Sequence, residues 1–143
     1  FVLVGNLRFD NSRNFRALSS TRTLSTNQTV TNIFPNRTEN AFSPQISLLY
    51  QMPKNFAFFA SASRSFRAPS LNELYRAFRV GNVLTLANEN LKAEKAVNFE
   101  TGVSYSRQNN YLRGNFFWIQ VSTPVANVTL SQTTNLITRQ RQN

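Results

Sequence analysis

Residues 56–75 read FAFFASASRSFRAPSLNELY, and the pattern changes once along the way. As far as Ser63 the chain alternates. Phe56, Phe58, Ala60 and Ala62 fall on one side of an extended strand, and Ala57, Phe59, Ser61 and Ser63 on the other, because successive strand side chains point to opposite faces. The first face is apolar; the second is mixed, mostly small or polar. Ser65-Phe66-Arg67-Ala68-Pro69 ends the strand, since Pro69 has no N–H for a ladder and pushes Ala68 into an extended or turn conformation. Ser70 then stands as a helix N-cap with Glu73 three residues on, the spacing of a capping box, so residues 70–75 predict a short helical turn.

The same alternation recurs on either side. In residues 1–10, Phe1, Leu3, Leu7 and Phe9 share a face with Gly5. In residues 42–51, Ile46, Leu48 and Tyr50 oppose Gln45, Ser47 and Gln51, with Leu49 on the polar side. In residues 97–106, Phe99, Thr101, Val103 and Tyr105 oppose Asn98, Glu100, Gly102 and Ser104. In residues 111–121, Leu112, Phe116 and Trp118 oppose Arg113, Asn115 and Phe117. Pro124 breaks this last strand, and residues 136–143 begin a sixth.

The connections alternate in length. Residues 11–40 are long, polar and without a sustained period, as expected of a loop without regular structure; residues 66–95 and 122–135 are the other long connections. Met52-Pro53-Lys54-Asn55 and Arg107-Gln108-Asn109-Asn110 are tight turns. Up-and-down antiparallel strands with unequal ends explain this rhythm most simply, so the expected fold class is all-β. Short periplasmic turns and long extracellular loops are the pattern of bacterial outer-membrane barrels, and strands of about ten residues cross when tilted. Tyr50 and Phe56 flank one short turn, Tyr105 and Tyr111 the other, where aromatic girdles belong.

Composition narrows the chemistry. The 143 residues carry 16 Lys and Arg against 6 acids, a net charge of +10, with 13 Phe and neither Cys nor His. Disulfides, thiolate metal sites and histidine bases are therefore excluded, and no metal site or cofactor is predictable. Hydrolases built on barrels need a nucleophile with a base, usually His, so no enzyme is expected. A basic, aromatic-rich chain invites a nucleic-acid partner, but the arginines are scattered over turns and loops instead of one face, and none is expected. No run approaches the roughly 18 to 20 apolar residues of a membrane helix. The chain starts at Phe1 inside a strand pattern and stops at Asn143 inside another, so a piece of a longer protein is expected. Asn27-Gln28-Thr29 and Asn36-Arg37-Thr38 match the glycosylation sequon, as an Asn- and Thr-rich chain does by chance.

The Phe66-Arg67-Ala68-Pro69 turn followed by Leu71-Asn72-Glu73-Leu74-Tyr75 resembles the signature of TonB-dependent outer-membrane receptors, in which a late barrel strand runs into Phe-Arg-Ala-Pro and then Leu-x-Glu-Leu-Tyr. The likeness extends to Leu7-Arg8-Phe9-Asp10, to Phe78-Arg79-Val80-Gly81-Asn82, to Asn88-Glu89-Asn90-Leu91-Lys92-Ala93-Glu94, and to Phe99-Glu100-Thr101-Gly102. Glu89 and Ala93 stand where the family usually has proline, which is expected to loosen that turn.

The resemblance implies that residues 1–143 are a partial receptor barrel, a fragment of a large transmembrane outer-membrane β-barrel without its plug. Five strands and part of a sixth cannot close in lipid, where an open edge leaves backbone groups unpaired; plugged transporters have about 22 strands, so the piece would be roughly a quarter of the wall. The implied activity is energy-coupled uptake of a scarce nutrient, such as a ferric siderophore or similar bulky ligand. The implied partners are membrane lipid and lipopolysaccharide, the remaining strands and plug, the TonB complex and the ligand. Arg67, Tyr75, Arg76 and Arg79 are the ligand-side candidates, because guanidinium groups make charge-assisted contacts to carboxylates and phosphates. The competing reading, favoured for any one of these arginines, is that it pairs with loop acids such as Glu73 or meets lipopolysaccharide. The alternative architecture is a soluble β-sandwich that binds carbohydrate or protein through its loops.

Overall fold

The computed structural model describes residues 1–143. In chain order the elements are β1 (Val2–Asn14), β2 (Leu18–Thr23), β3 (Gln28–Ile33), β4 (Arg37–Met52), β5 (Phe56–Arg67), α1 (Leu71–Tyr75), β6 (Phe78–Val80), β7 (Val83–Leu86), β8 (Glu94–Arg107), β9 (Asn110–Ser122), β10 (Ala126–Gln132) and β11 (Ile137–Gln142). They fall into two compact units. One comprises Phe1–Asp10, Asn40–Phe66 and Lys95–Ser122; the other comprises Asn11–Glu39, Arg67–Glu94 and Thr123–Asn143.

The first unit is built on a five-stranded sheet in the order β1-β4-β5-β8-β9. β4 and β5 pair antiparallel with Tyr50 opposite Phe58 and Ser47 opposite Ser61, and β8 and β9 with Phe99 opposite Trp118 and Gly102 opposite Asn115. Between β5 and β8, Asn98 Nδ2 donates to Ser63 Oγ (3.4 Å), Thr101 Oγ1 to Phe59 O (2.9 Å) and Ser106 N to Asn55 O (3.0 Å). Numbers rise on β8 as they fall on β5, so this pair is antiparallel too. The registers put Ile46, Phe58, Ala60, Phe99, Phe116 and Trp118 on one face and Ser47, Ser61, Ser63, Asn98, Glu100 and Asn115 on the other. The alternation expected from sequence is carried across β4, β5 and β8, whereas β9 is apolar on both sides: Phe117, Ile119 and Val121 stand on the face of Asn98 and Glu100.

Both tight turns are present. Lys54 and Asn55 take left-handed φ of 61° and 66°, and Gln108 takes 50° in the two-residue link of β8 to β9, as right-twisted hairpins require. Near these turns the Phe56 and Tyr105 rings meet at 4.8 Å. Tyr111 pairs with Ser106 and so lies on the opposite face from Tyr105.

On the polar face the Phe59 ring covers Gly102. A Cβ there would stand 2.5 Å from Phe59 Cε1 and 2.6 Å from the Gly114 carbonyl, so only glycine fits. The Arg113 guanidinium stacks over the same ring at 4.8 Å. The apolar face stays uncovered: Phe99 is 41%, Trp118 47% and Phe116 60% exposed. A sandwich sheet would bury these residues, so the soluble alternative has no counterpart here.

The second unit corrects the expectation of irregular loops. Residues 11–40 hold the end of β1, the β2–β3 hairpin and the start of β4, with Leu18 opposite Ile33 and Thr23 opposite Gln28. The polar strands of that hairpin alternate no apolar face, so periodicity could not reveal them. Residues 136–143 form a strand, but not a sixth strand of the first sheet. β11 pairs antiparallel with β10 and parallel with β7, in a four-stranded sheet β10-β11-β7-β6. The core of this unit is Leu74, Tyr75 and Leu91, with Ala17, Phe34 and Val125 packed against it.

Candidate functional site

The site is built on α1. Ser70 caps it as expected: Glu73 N donates to Ser70 Oγ (3.3 Å) and Ser70 N to Glu73 Oε2 (2.8 Å). The helix buries Leu74 and Tyr75, and the Tyr75 ring meets Phe34 at 4.5 Å. The turn after β7 is closed despite Glu89 and Ala93. Asn90 N donates to Asn88 Oδ1 (3.0 Å), Asn88 N to Glu73 O (3.2 Å) and Asn88 Nδ2 to Arg141 O (2.8 Å). These Asn88 bonds hold the turn closed, and Leu91 reaches the core fully buried.

The four sequence candidates have different surroundings. Arg67 Nε donates to Glu94 Oε2 (2.5 Å) and Nη1 to Glu73 Oε2 (3.1 Å). Glu94 Oε1 also accepts from Val125 N at 2.6 Å. The bonds from Glu94 and Glu73 hold the Arg67 guanidinium charged above its ordinary range. The Arg67 bond and the Val125 N–H hold the Glu94 carboxyl below its own. For Glu73, burial opposes ionisation, but Ser70 and Arg67 outweigh it and the net direction is downward. Tyr75 is buried at the edge of a cavity of about 630 Å³, also lined by Arg13, Phe15, Arg16, Leu71 and Arg76. Arg76 lines a second cavity of about 430 Å³ with Asn72, Phe78, Arg79 and Arg141. Arg79 Nε donates to Gly81 O (2.9 Å).

The fold therefore joins Tyr75 and Arg76 at one cavity and Arg76 and Arg79 at the next, while Arg67 is engaged by two acids. Sequence reading did not single out Arg13, Arg16 or Arg141. Arg13 and Arg16 flank the end of β1, and Arg141 comes from β11, some 65 residues beyond Arg76. No sequence spacing signals that meeting, because hairpin and sheet pairing produce it.

A single-layer antiparallel sheet whose one face is apolar in every paired strand and whose other is mostly polar, with strands of 12 to 16 residues and alternating short and long connections, defines a stretch of outer-membrane barrel wall with its loops. The family model described as TonB dependent receptor-like, beta-barrel matches residues 1–143, and the chain belongs to that family. Membership places it in the outer membrane of a Gram-negative bacterium, in a family of receptors rather than enzymes. No curated protein matches the sequence. Among solved structures the chain is similar to the hemophore receptor HasR of Serratia marcescens, a double mutant in complex with its hemophore HasA and heme. The TM-score is 0.72 at 14% identity, over 99% of this chain and 26% of that one. It is also similar to the siderophore receptor PirA of Pseudomonas aeruginosa, with a TM-score of 0.65 at 19% identity, over 97% of this chain and 28% of that one. At such identities the likeness shows the fold alone. The chain spans about a quarter of the length of these receptors.

Proposed function

We propose that this chain is part of an outer-membrane receptor that takes up a scarce nutrient, a ferric siderophore or similar bulky ligand, by TonB-dependent transport. The observation that carries this is the match of the whole chain to the receptor barrel family. The hemophore and siderophore receptors that share its fold support the ligand class. In this reading the apolar face meets lipid, and the polar face with Ser61, Asn98 and Glu100 lines the lumen around a plug. The long connections are extracellular; they meet lipopolysaccharide at their margins and present Tyr75, Arg76 and Arg79 to ligand. Arg67 acts there as a structural clamp. The remaining strands, the plug and the contact with the TonB complex come from sequence outside residues 1–143.

The test is uptake of radiolabelled ferric siderophores by cells expressing the full-length receptor, with and without a functional TonB complex. The expected result is accumulation that stops when TonB is deleted or the proton gradient is collapsed. Accumulation indifferent to both treatments, or no accumulation of any ferric chelate, overturns the proposal.

A further inference from the structure

The two cavities share Asn72 and Arg76, and between them they are lined by Arg13, Arg16, Arg76, Arg79 and Arg141. No carboxylate lines either. The acids of this unit are engaged elsewhere or lie apart: Glu39 pairs with Arg37, Glu73 and Glu94 pair with Arg67, and Glu89 lies in the turn after β7. Arg79 and Arg141 donate to the Gly81 and Asn72 carbonyls, and Arg141 also lies over the Phe78 ring at 5.5 Å. These contacts orient the two side chains without neutralising them. Arg13, Arg16 and Arg76 enter no ion pair and are exposed.

Like charges repel, so a group of cations without an acid costs free energy unless something else compensates it. The surface is nevertheless held in place. Arg16 takes φ 50° while its N–H donates to Asn36 Oδ1 (3.1 Å), and Phe34 N donates to Ala17 O (2.9 Å). Beside the cations lie the exposed Phe15 and Leu71. Forked guanidinium donors suit carboxylate and phosphate oxygens, and an unpaired basic concavity raises the local concentration of anions.

We propose that this surface binds a polyanionic metal chelate, one that carries two or more carboxylate or phosphate groups beside an apolar face. The inference rests on the uptake function proposed above and narrows its ligand class. The test is calorimetry on the full-length receptor purified from outer membranes, with ferric citrate, ferric pyrophosphate and a neutral ferric trihydroxamate as probes. The variants are Arg13→Gln with Arg76→Gln, and Arg13→Lys with Arg76→Lys; resistance to surface trypsin confirms that each is folded.

Wild type is expected to bind at least one anionic probe, more weakly as salt rises. The Gln pair is expected to weaken that binding by about tenfold or more, and the Lys pair to restore most of it. A response to ferric citrate alone identifies carboxylate as the recognised group, and to ferric pyrophosphate alone phosphate. The proposal is overturned if neither anionic probe binds, if the Gln pair binds as wild type does, or if the neutral chelate loses affinity equally. TonB-dependent uptake of the neutral chelate alone overturns this inference and leaves the uptake function standing. Arginine-dependent anion binding without TonB-dependent uptake has the opposite consequence.

Discussion

At Arg67 two carboxylates converge on one guanidinium, Glu94 at 2.5 Å and Glu73 at 3.1 Å. The group ties Arg67 to α1 and to Glu94, so its charge state bears on local order. Both carboxyls are held below their ordinary range when folded. A depressed carboxyl stabilises the fold above the unfolded carboxylate value, about 4.3 for Glu, and that contribution is lost as pH falls through the lower folded value. Hydrogen-exchange protection of residues 67–75 in the full-length receptor, taken relative to the intrinsic amide rate at each pH, should therefore be constant from neutrality down to about 5 and fall below about 4. Glu73→Gln with Glu94→Gln should exchange faster at neutral pH and lose that acid response. At Gly102 the constraint is steric: Gly102→Ala should cost about 1 to 3 kcal/mol of overpacking, read as a lower unfolding temperature of the purified receptor. An unchanged temperature would mean that the Phe59 ring and the Gly114 backbone both move aside without cost.

α1 has five residues, too few for a helix to persist alone. Its cap and its core contacts hold it. Removing the Ser70 hydroxyl leaves one of the two capping-box bonds, so Ser70→Ala should cost about 1 kcal/mol and raise local exchange about fivefold. Leu91 is fully buried against Leu74 and Tyr75, next to Phe34 at the end of the β2–β3 hairpin. Leu91→Ala should cost about 2 to 5 kcal/mol of this unit's packing. The expected sign is faster tryptic cleavage at Arg22 near the hairpin tip, and a cleavage rate equal to wild type would detach the hairpin from this core. The capping box was legible in sequence because it is local, four residues reaching one another. The hairpin was not, because its strands are polar on both faces and are fixed by pairing.

For the whole molecule the consequential property is that the sheet has two unlike faces. Phe99 and Glu100 are neighbours in β8, yet they belong to opposite faces. On a barrel wall, Phe99→Arg should cost about 2 to 4 kcal/mol and reduce assembly into the outer membrane, while Glu100→Arg should assemble as wild type does. Heat-modifiability of the receptor on gels reads both. Equal assembly of the two variants would mean that neither face meets lipid.

Alternation by itself determined the middle of each wall strand and which side its residues face, and local spacing marked where Pro69, the tight turns and the Ser70 cap interrupt them. Those properties repeat every two residues or close within four, so a single sequence displays them. Only the tertiary structure decided that the end of the chain pairs with β7 and β10 instead of extending the first sheet, and that Asn88 ties the turn after β7 to Glu73 and Arg141. It alone brought Arg13, Arg16 and Arg141 to cavities shared with Arg76. Contacts between residues 50 to 70 positions apart depend on which backbone edges find one another, and neither periodicity nor local spacing encodes that choice.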